Sequence, residues 1–246
     1  MLRERFRGPG RFRERGLSLV ELLVGTALGL FLVAGAVTMF VSNLGNSRQL
    51  LLEARVNQDL RAAADLIARD LRRAGYWGDS LAGTIAVGAA AAVNPYRVIT
   101  PGAGIIEYAF SRDATENNIR DTSEEFGFQR GLVGSVGVIQ MKVGGNWQTV
   151  TDPQTIDIPV NGLTVTSSDV AVSARDACTV ACCSDADVTA GICATRNIAI
   201  GASCPTVRVR QYVLTLAANA TGNTRVARTL TTRVRPRNDE LGGVCP

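Results

Sequence analysis

The sequence predicts an α+β protein in which a long N-terminal helix, apolar in its first half and amphipathic in its second, packs on an antiparallel β-sheet carrying a disulfide-rich loop. Three observations predict it. An apolar run covers Leu17 to Val41, a period near 3.6 continues to about residue 74, and from residue 76 the period changes toward 2. With 246 residues, 46% hydrophobic and 20% charged, the chain can bury a core, and neither disorder nor a low-complexity fibre fits. Histidine is absent, which removes Ser-His-Asp triads, Cys-His pairs and HExxH metal sites together.

The first segment, residues 1–16, holds six arginines against Glu4 and Glu14 and accounts for the whole net charge of +4. Everything after Gly16 sums to zero, so the basic character belongs to this leader and not to the body. Residues 17–41 then carry one charge, Glu21. As a helix they span roughly 37 Å, enough to cross a hydrocarbon core of about 30 Å. The flanking arginines put the N-terminus in the cytoplasm and the chain after residue 41 outside. A cleavable secretory signal has a shorter apolar region and a small-residue cleavage site, which this run lacks. A plain anchor leaves Glu21 unexplained unless it snorkels to the interface, because a carboxylate in lipid costs about 2.5 kcal/mol or more.

The junction RERGLSLVELL, with Gly16, Leu17 and Glu21 in sequence, resembles the class III leader junction of type IV pilins and of the related pseudopilins of type II secretion. The resemblance implies cleavage between Gly16 and Leu17 by the prepilin peptidase, N-terminal methylation, and a role for Glu21 in assembly. There its carboxylate pairs with the new α-ammonium of a neighbouring subunit, so that two charges costly singly in lipid become acceptable together. Two features depart from the family pattern. Leu17 stands where Phe is usual, and the helix has no proline, the first one after the leader being Pro95. Gly25 and Gly29 form a GxxxG spacing that permits close helix packing.

The next segment, residues 42–75, continues the helix. Leu60, Ala64, Ile67, Leu71 and Ala74 make one apolar stripe, while Arg55, Asp59, Arg61, Asp65, Arg69 and Asp70 occupy the other faces. With no proline from 17 to 74 and Gly75 suited to the stop, one helix of 58 residues is expected. Such a rod with a globular domain on its second half is the lollipop of the pilin family. ARDLRRAGYWG (68–78) resembles the corresponding segment of PilW-type minor pilins, and RTLTTRVRPRN (228–238) their closing strand. Together with the junction these cover about a third of the chain. Their expected role is packing.

Residues 76–246 form the expected globular β domain, periplasmic by the orientation above. Strands are expected near 105–111, 136–143, 147–151, 155–166, 206–217 and 225–235, with turns at Gly144-Gly145-Asn146 and Gly222-Asn223. A loop-rich connector is expected before them. The six cysteines, Cys178, Cys182, Cys183, Cys193, Cys204 and Cys245, are disulfide candidates that pin a surface loop over 168–204, although six allow 15 connectivities. Zinc is set aside because Cys182 and Cys183 adjoin in an oxidising compartment. Calcium is set aside because, in the stretch opened by Asp185 and Asp187, Ala190 and Arg196 replace the required Gly and Glu. No metal and no cofactor is expected.

Searches for catalytic motifs fail. The one lysine, Lys142, follows Met141, so there is no phosphate loop, and Gly201-Ala202-Ser203 is closed wrongly by Pro205 for a nucleophile elbow. Glu124 and Glu125 are expected to be solvated in a polar loop. The arginine-bearing strands (Arg208, Arg210, Arg233, Arg235, Arg237) are expected to complement acidic residues within the sheet or a subunit, and no nucleic-acid partner is expected. What the resemblance implies is therefore a non-enzymatic minor pilin, at low copy, that helps to prime type IV pilus assembly. Its partners would be the prepilin peptidase, the other minor and major pilins and the inner-membrane assembly platform, and its location the inner membrane and then the pilus. A minor pseudopilin of type II secretion, or a pilus-tip adhesion or DNA-uptake subunit, is the alternative.

Overall fold

The computed structural model describes residues 16, 18–83, 92–173, 182–183, 199–200 and 205–242. Two compact units divide the chain, residues 1–50 and residues 51–246. One helix, α1 (Leu19–Leu71), contributes to both. It is shorter than expected at its C-terminal end. The bonds from Arg73 N to Asp70 O (2.9 Å) and from Ala74 N to Leu71 O (3.2 Å) tighten the last residues into three-residue turns, and Gly75 leaves them at φ +75°.

In the second unit the apolar stripe of α1 does what its spacing predicts. Val56, Leu60, Ala63, Ala64, Ile67 and Leu71, with Ala74 beyond, are buried in one core. Each large member contributes about 1.5–3 kcal/mol by leaving water. Asp70 departs from expectation: it lies buried beneath the helix, not on an outer face, and accepts a 2.6 Å bond from the Tyr108 hydroxyl. Burial pushes that hydroxyl well above its ordinary pKa, the Asp70 charge adding to the effect. Two further polar ties fix the helix, Thr155 Oγ1 donating to Asp59 Oδ2 (2.6 Å) and Arg228 Nη2 to Glu53 Oε2 (2.5 Å).

Two antiparallel sheets share the core. The first is a meander of β1 (Thr100–Gly102), β2 (Ile105–Ala109), β3 (Glu125–Val133), β4 (Val136–Val143) and β5 (Asn146–Thr149), in that order. The second is built on β10 (Thr206–Ala220), which pairs with β6 (Ile156–Asp157), β7 (Leu163–Ser173), β11 (Asn223–Val234) and β12 (Glu240–Gly242). Along β10 the residues Tyr212, Leu214, Leu216, Ala218 and Ala220 are buried at every second position, and the register sets Leu216 opposite both Leu163 and Leu230. The expected C-terminal hairpin is β10–β11. A short parallel pair, β8 (Cys182–Cys183) with β9 (Ala199–Ile200), completes the strands among the described residues.

Three strand expectations need correction. The stretch 155–166 is not one strand, because the turn closed by Gly162 N to Pro159 O (2.8 Å) separates β6 from β7. β7 runs on through residue 173, into what was expected to be loop. β3 was not expected at all: its glycines at 127 and 131 depress strand propensity, and it is held by β2 and β4 on its two sides. Glycine is required at the neighbouring position 137, where an added Cβ would lie 1.9 Å from Ile158 O. The leader through residue 15, Leu17, residues 84–91 of the connector, the calcium-like stretch and residues 201–203 lie outside the described residues. So do Cys178, Cys193, Cys204 and Cys245, while for Cys182 and Cys183 only the backbone is described.

Candidate functional site

In the first unit every described residue is exposed, Gly16 and Ser18 through Leu50. Leu19, Phe31, Leu32 and Met39 each expose more than 70% of their surface. A continuous apolar surface of this extent marks contact with lipid or with other helices. The helix is long and apolar enough, by length and composition, to cross a membrane. Its polar side chains suit that setting. Thr26 Oγ1 donates to Leu23 O (3.0 Å) and Thr38 Oγ1 to Gly35 O (2.8 Å), so neither hydroxyl needs water. Space lies open around Gly25 and Gly29, where an added Cβ would meet nothing within 4 Å.

Glu21 stands in the first turn of this helix, where the amide ends favour a negative charge. The turn is closed by Leu22 N donating to Ser18 O at 3.1 Å. Among the described residues no cation pairs with Glu21. Gly16 lies ahead of the helix and is exposed.

In the second unit the two remaining sequence motifs meet. The carbonyls at the end of α1 that the helix cannot satisfy are taken by the closing segment: Arg237 N donates to Arg72 O (3.0 Å) and Asn238 Nδ2 to Ala74 O (3.2 Å). Asn94 Nδ2 takes Gly75 O at 2.8 Å, a contact that sequence reading missed. Arg210, expected to complement acidic residues within the sheet or a subunit, is buried instead against backbone: it donates to the carbonyls of Arg97 and Asn238 and holds the same junction. The motifs at 68–78 and 228–238 are thus two halves of one helix-capping joint.

Glu124 and Glu125 also depart from expectation. Glu124 is fully buried, accepting from Tyr96 Oη (3.1 Å), Arg112 N (3.0 Å) and Asp121 N (2.9 Å), so it ties the 112–124 loop to the core. Burial, then the bonds to Glu116 and Glu124, pushes the Tyr96 hydroxyl far above its ordinary pKa. Glu125 pairs with Lys142 (3.0 Å) and Arg120 (3.1 Å), and Lys142 also reaches Glu107 (2.9 Å).

This charge cluster makes a pH prediction. The bond from Lys142 holds the Glu125 carboxyl below its ordinary 4.5, against desolvation, with the charges of Lys142 and Arg120 adding. A depressed carboxyl contributes stability that is present above the unfolded value and lost as pH falls through the folded one. Melting curves taken from about pH 6 down to about pH 3 should therefore steepen toward acid, and Lys142→Met should flatten that limb. An unchanged acid slope in the variant would contradict the assignment.

A protein-family model described as "Prepilin peptidase-dependent protein B" matches residues 49–236. No curated protein and no solved structure matches the chain.

Proposed function

We propose that this chain, which belongs to the prepilin peptidase-dependent protein B family, is a non-enzymatic minor pilin of the PilW type that takes part in priming type IV pilus assembly. The family places it among pilin-like proteins of pilus and secretion systems and links it to the prepilin peptidase. The observation that carries the finer reading is the exposed apolar stretch of α1 up to Val41, whose one charge, Glu21, follows Gly16 by five residues. A membrane-inserted precursor, cut after Gly16, needs an environment for that surface once it leaves the bilayer. The packed helices of a filament supply one.

In this reading the leader faces the cytoplasm and the globular unit the periplasm, where the six cysteines are oxidised. The chain works by contact, with the major and the other minor pilins and with the inner-membrane assembly platform. Deletion of the gene tests the role. Loss of surface pili with normal exoprotein release supports a pilus-priming subunit. Lost exoprotein release with normal pili assigns the chain to type II secretion, and intact pili that no longer bind DNA or surfaces assign it to the pilus tip.

A further inference from the structure

We propose that the cleft at the C-terminal end of α1 docks an acidic segment of a partner protein. The cleft encloses about 290 Å³ and is lined by Arg72, Arg73, Tyr76, Phe110, Arg237 and Asn238. Many cations of this unit are already neutralised: Arg97 and Arg208 by Glu240, Arg228 by Glu53, Arg235 by Asp239, and Arg120 and Lys142 by Glu125. At the cleft three arginines gather with little to neutralise them. Among the described residues Arg72 and Arg237 form no ion pair, and Arg73 reaches one Asp70 oxygen at only 3.5 Å while Tyr108 takes the other.

The arginines are also brought side by side before any ligand arrives. The backbones of Arg72 and Arg237 are bonded to each other at 3.0 Å, and the Arg73 guanidinium lies 4.2 Å from the centre of the Phe110 ring, itself stacked on Phe126. Planar guanidinium forks suit carboxylates, and Arg73, already stacked on its ring, loses little freedom on binding. The half-exposed Tyr76 supplies an apolar wall for the methylenes of Glu or Asp. A nucleic acid fits less well, since the arginines of the leader account for the entire net charge and the globular unit has no surplus positive field for a polyanion. The proposal rests on this cleft alone and goes beyond the pilin reading.

The test uses the full chain in a non-ionic detergent and a fluorescein-labelled octapeptide of alternating Glu and Gly, read by anisotropy. Saturable binding that weakens with added salt is expected. The double substitution Arg73→Gln with Arg237→Gln should weaken it roughly tenfold or more, from lost charge-assisted bonds. Arg233→Gln, outside the cleft, should leave it unchanged. The single Arg237→Gln keeps the backbone donor to Arg72, and thermal melts confirm that each variant is folded. Absence of saturable binding overturns the proposal, as does equal loss in Arg233→Gln. So does an oligonucleotide or inorganic phosphate that displaces the peptide more effectively than unlabelled peptide does. Self-association of the chain that the double variant abolishes would assign the cleft to a second copy and would overturn it too.

Discussion

Replacing Glu21 by alanine is expected to leave cleavage after Gly16 mostly intact while blocking incorporation into a filament. In the proposed reading the peptidase acts ahead of Glu21, beside the exposed Gly16. Assembly makes a different demand. On the proposed reading, cleavage creates an α-ammonium at Leu17, and that cation must enter an apolar environment among neighbouring helices. With Glu21 as its counter-ion the two charges neutralise each other. With alanine, the ammonium is left unpaired in low dielectric, at about 3–5 kcal/mol. That is roughly 100-fold or more in an association constant. The variant should therefore accumulate in the membrane fraction at mature mass and be missing from sheared filaments, as read by quantitative immunoblot. Glu21→Asp, which keeps the charge on a shorter arm, should recover part of the loss. Normal incorporation of Glu21→Ala would remove the role given to the carboxylate.

The second large effect is expected at Ile67. Its side chain is fully buried at the centre of the α1 stripe, within the core that both sheets share. Aspartate there removes the apolar contact and sets a carboxylate where no described cation is paired to receive it. The cost is about 4 kcal/mol or more. For a unit of this size that corresponds to a fall in melting temperature of roughly 8–16 °C. Arg61→Ala, on the exposed side of the same helix, should change stability by about 0.5 kcal/mol or less. Comparable shifts for the two substitutions in thermal melts would mean that the stripe does not organise the core.

How much of this was legible in the sequence follows from which signals are local. The stripe at Leu60, Ala64, Ile67, Leu71 and Ala74 is a one-dimensional pattern, and all five side chains are buried. β4 has the bounds that alternation gives, and β10 starts where expected. What failed depended on partners distant in sequence. β3, with its two glycines, becomes a strand between β2 and β4, and Glu124, next to Glu125 in a polar stretch, is drawn inside by Tyr96 from 28 residues away. Asp70 was read as solvent-facing because aspartate usually is, yet Tyr108 offers it a buried donor from across the core. Pro159 and Gly162 did signal the break between β6 and β7, but the apolar alternation on either side outweighed them.

The candidate site divides in the same way. Glu21, Gly25 and Gly29 are placed by helix phase alone, and the structure leaves them exposed on α1. The joint between the segments 68–78 and 228–238 was foreseen as two packing motifs and not as one capping device. Its bonds, such as Arg237 N to Arg72 O, join residues far apart in the chain, and no local pattern encodes such a pairing.

The measurement that tests the central claim most directly is the intact mass of the protein extracted from membranes of cells that have an active prepilin peptidase. A chain that begins at an N-methylated Leu17 is the predicted result. A chain that retains residues 1–16 in those cells would contradict the account.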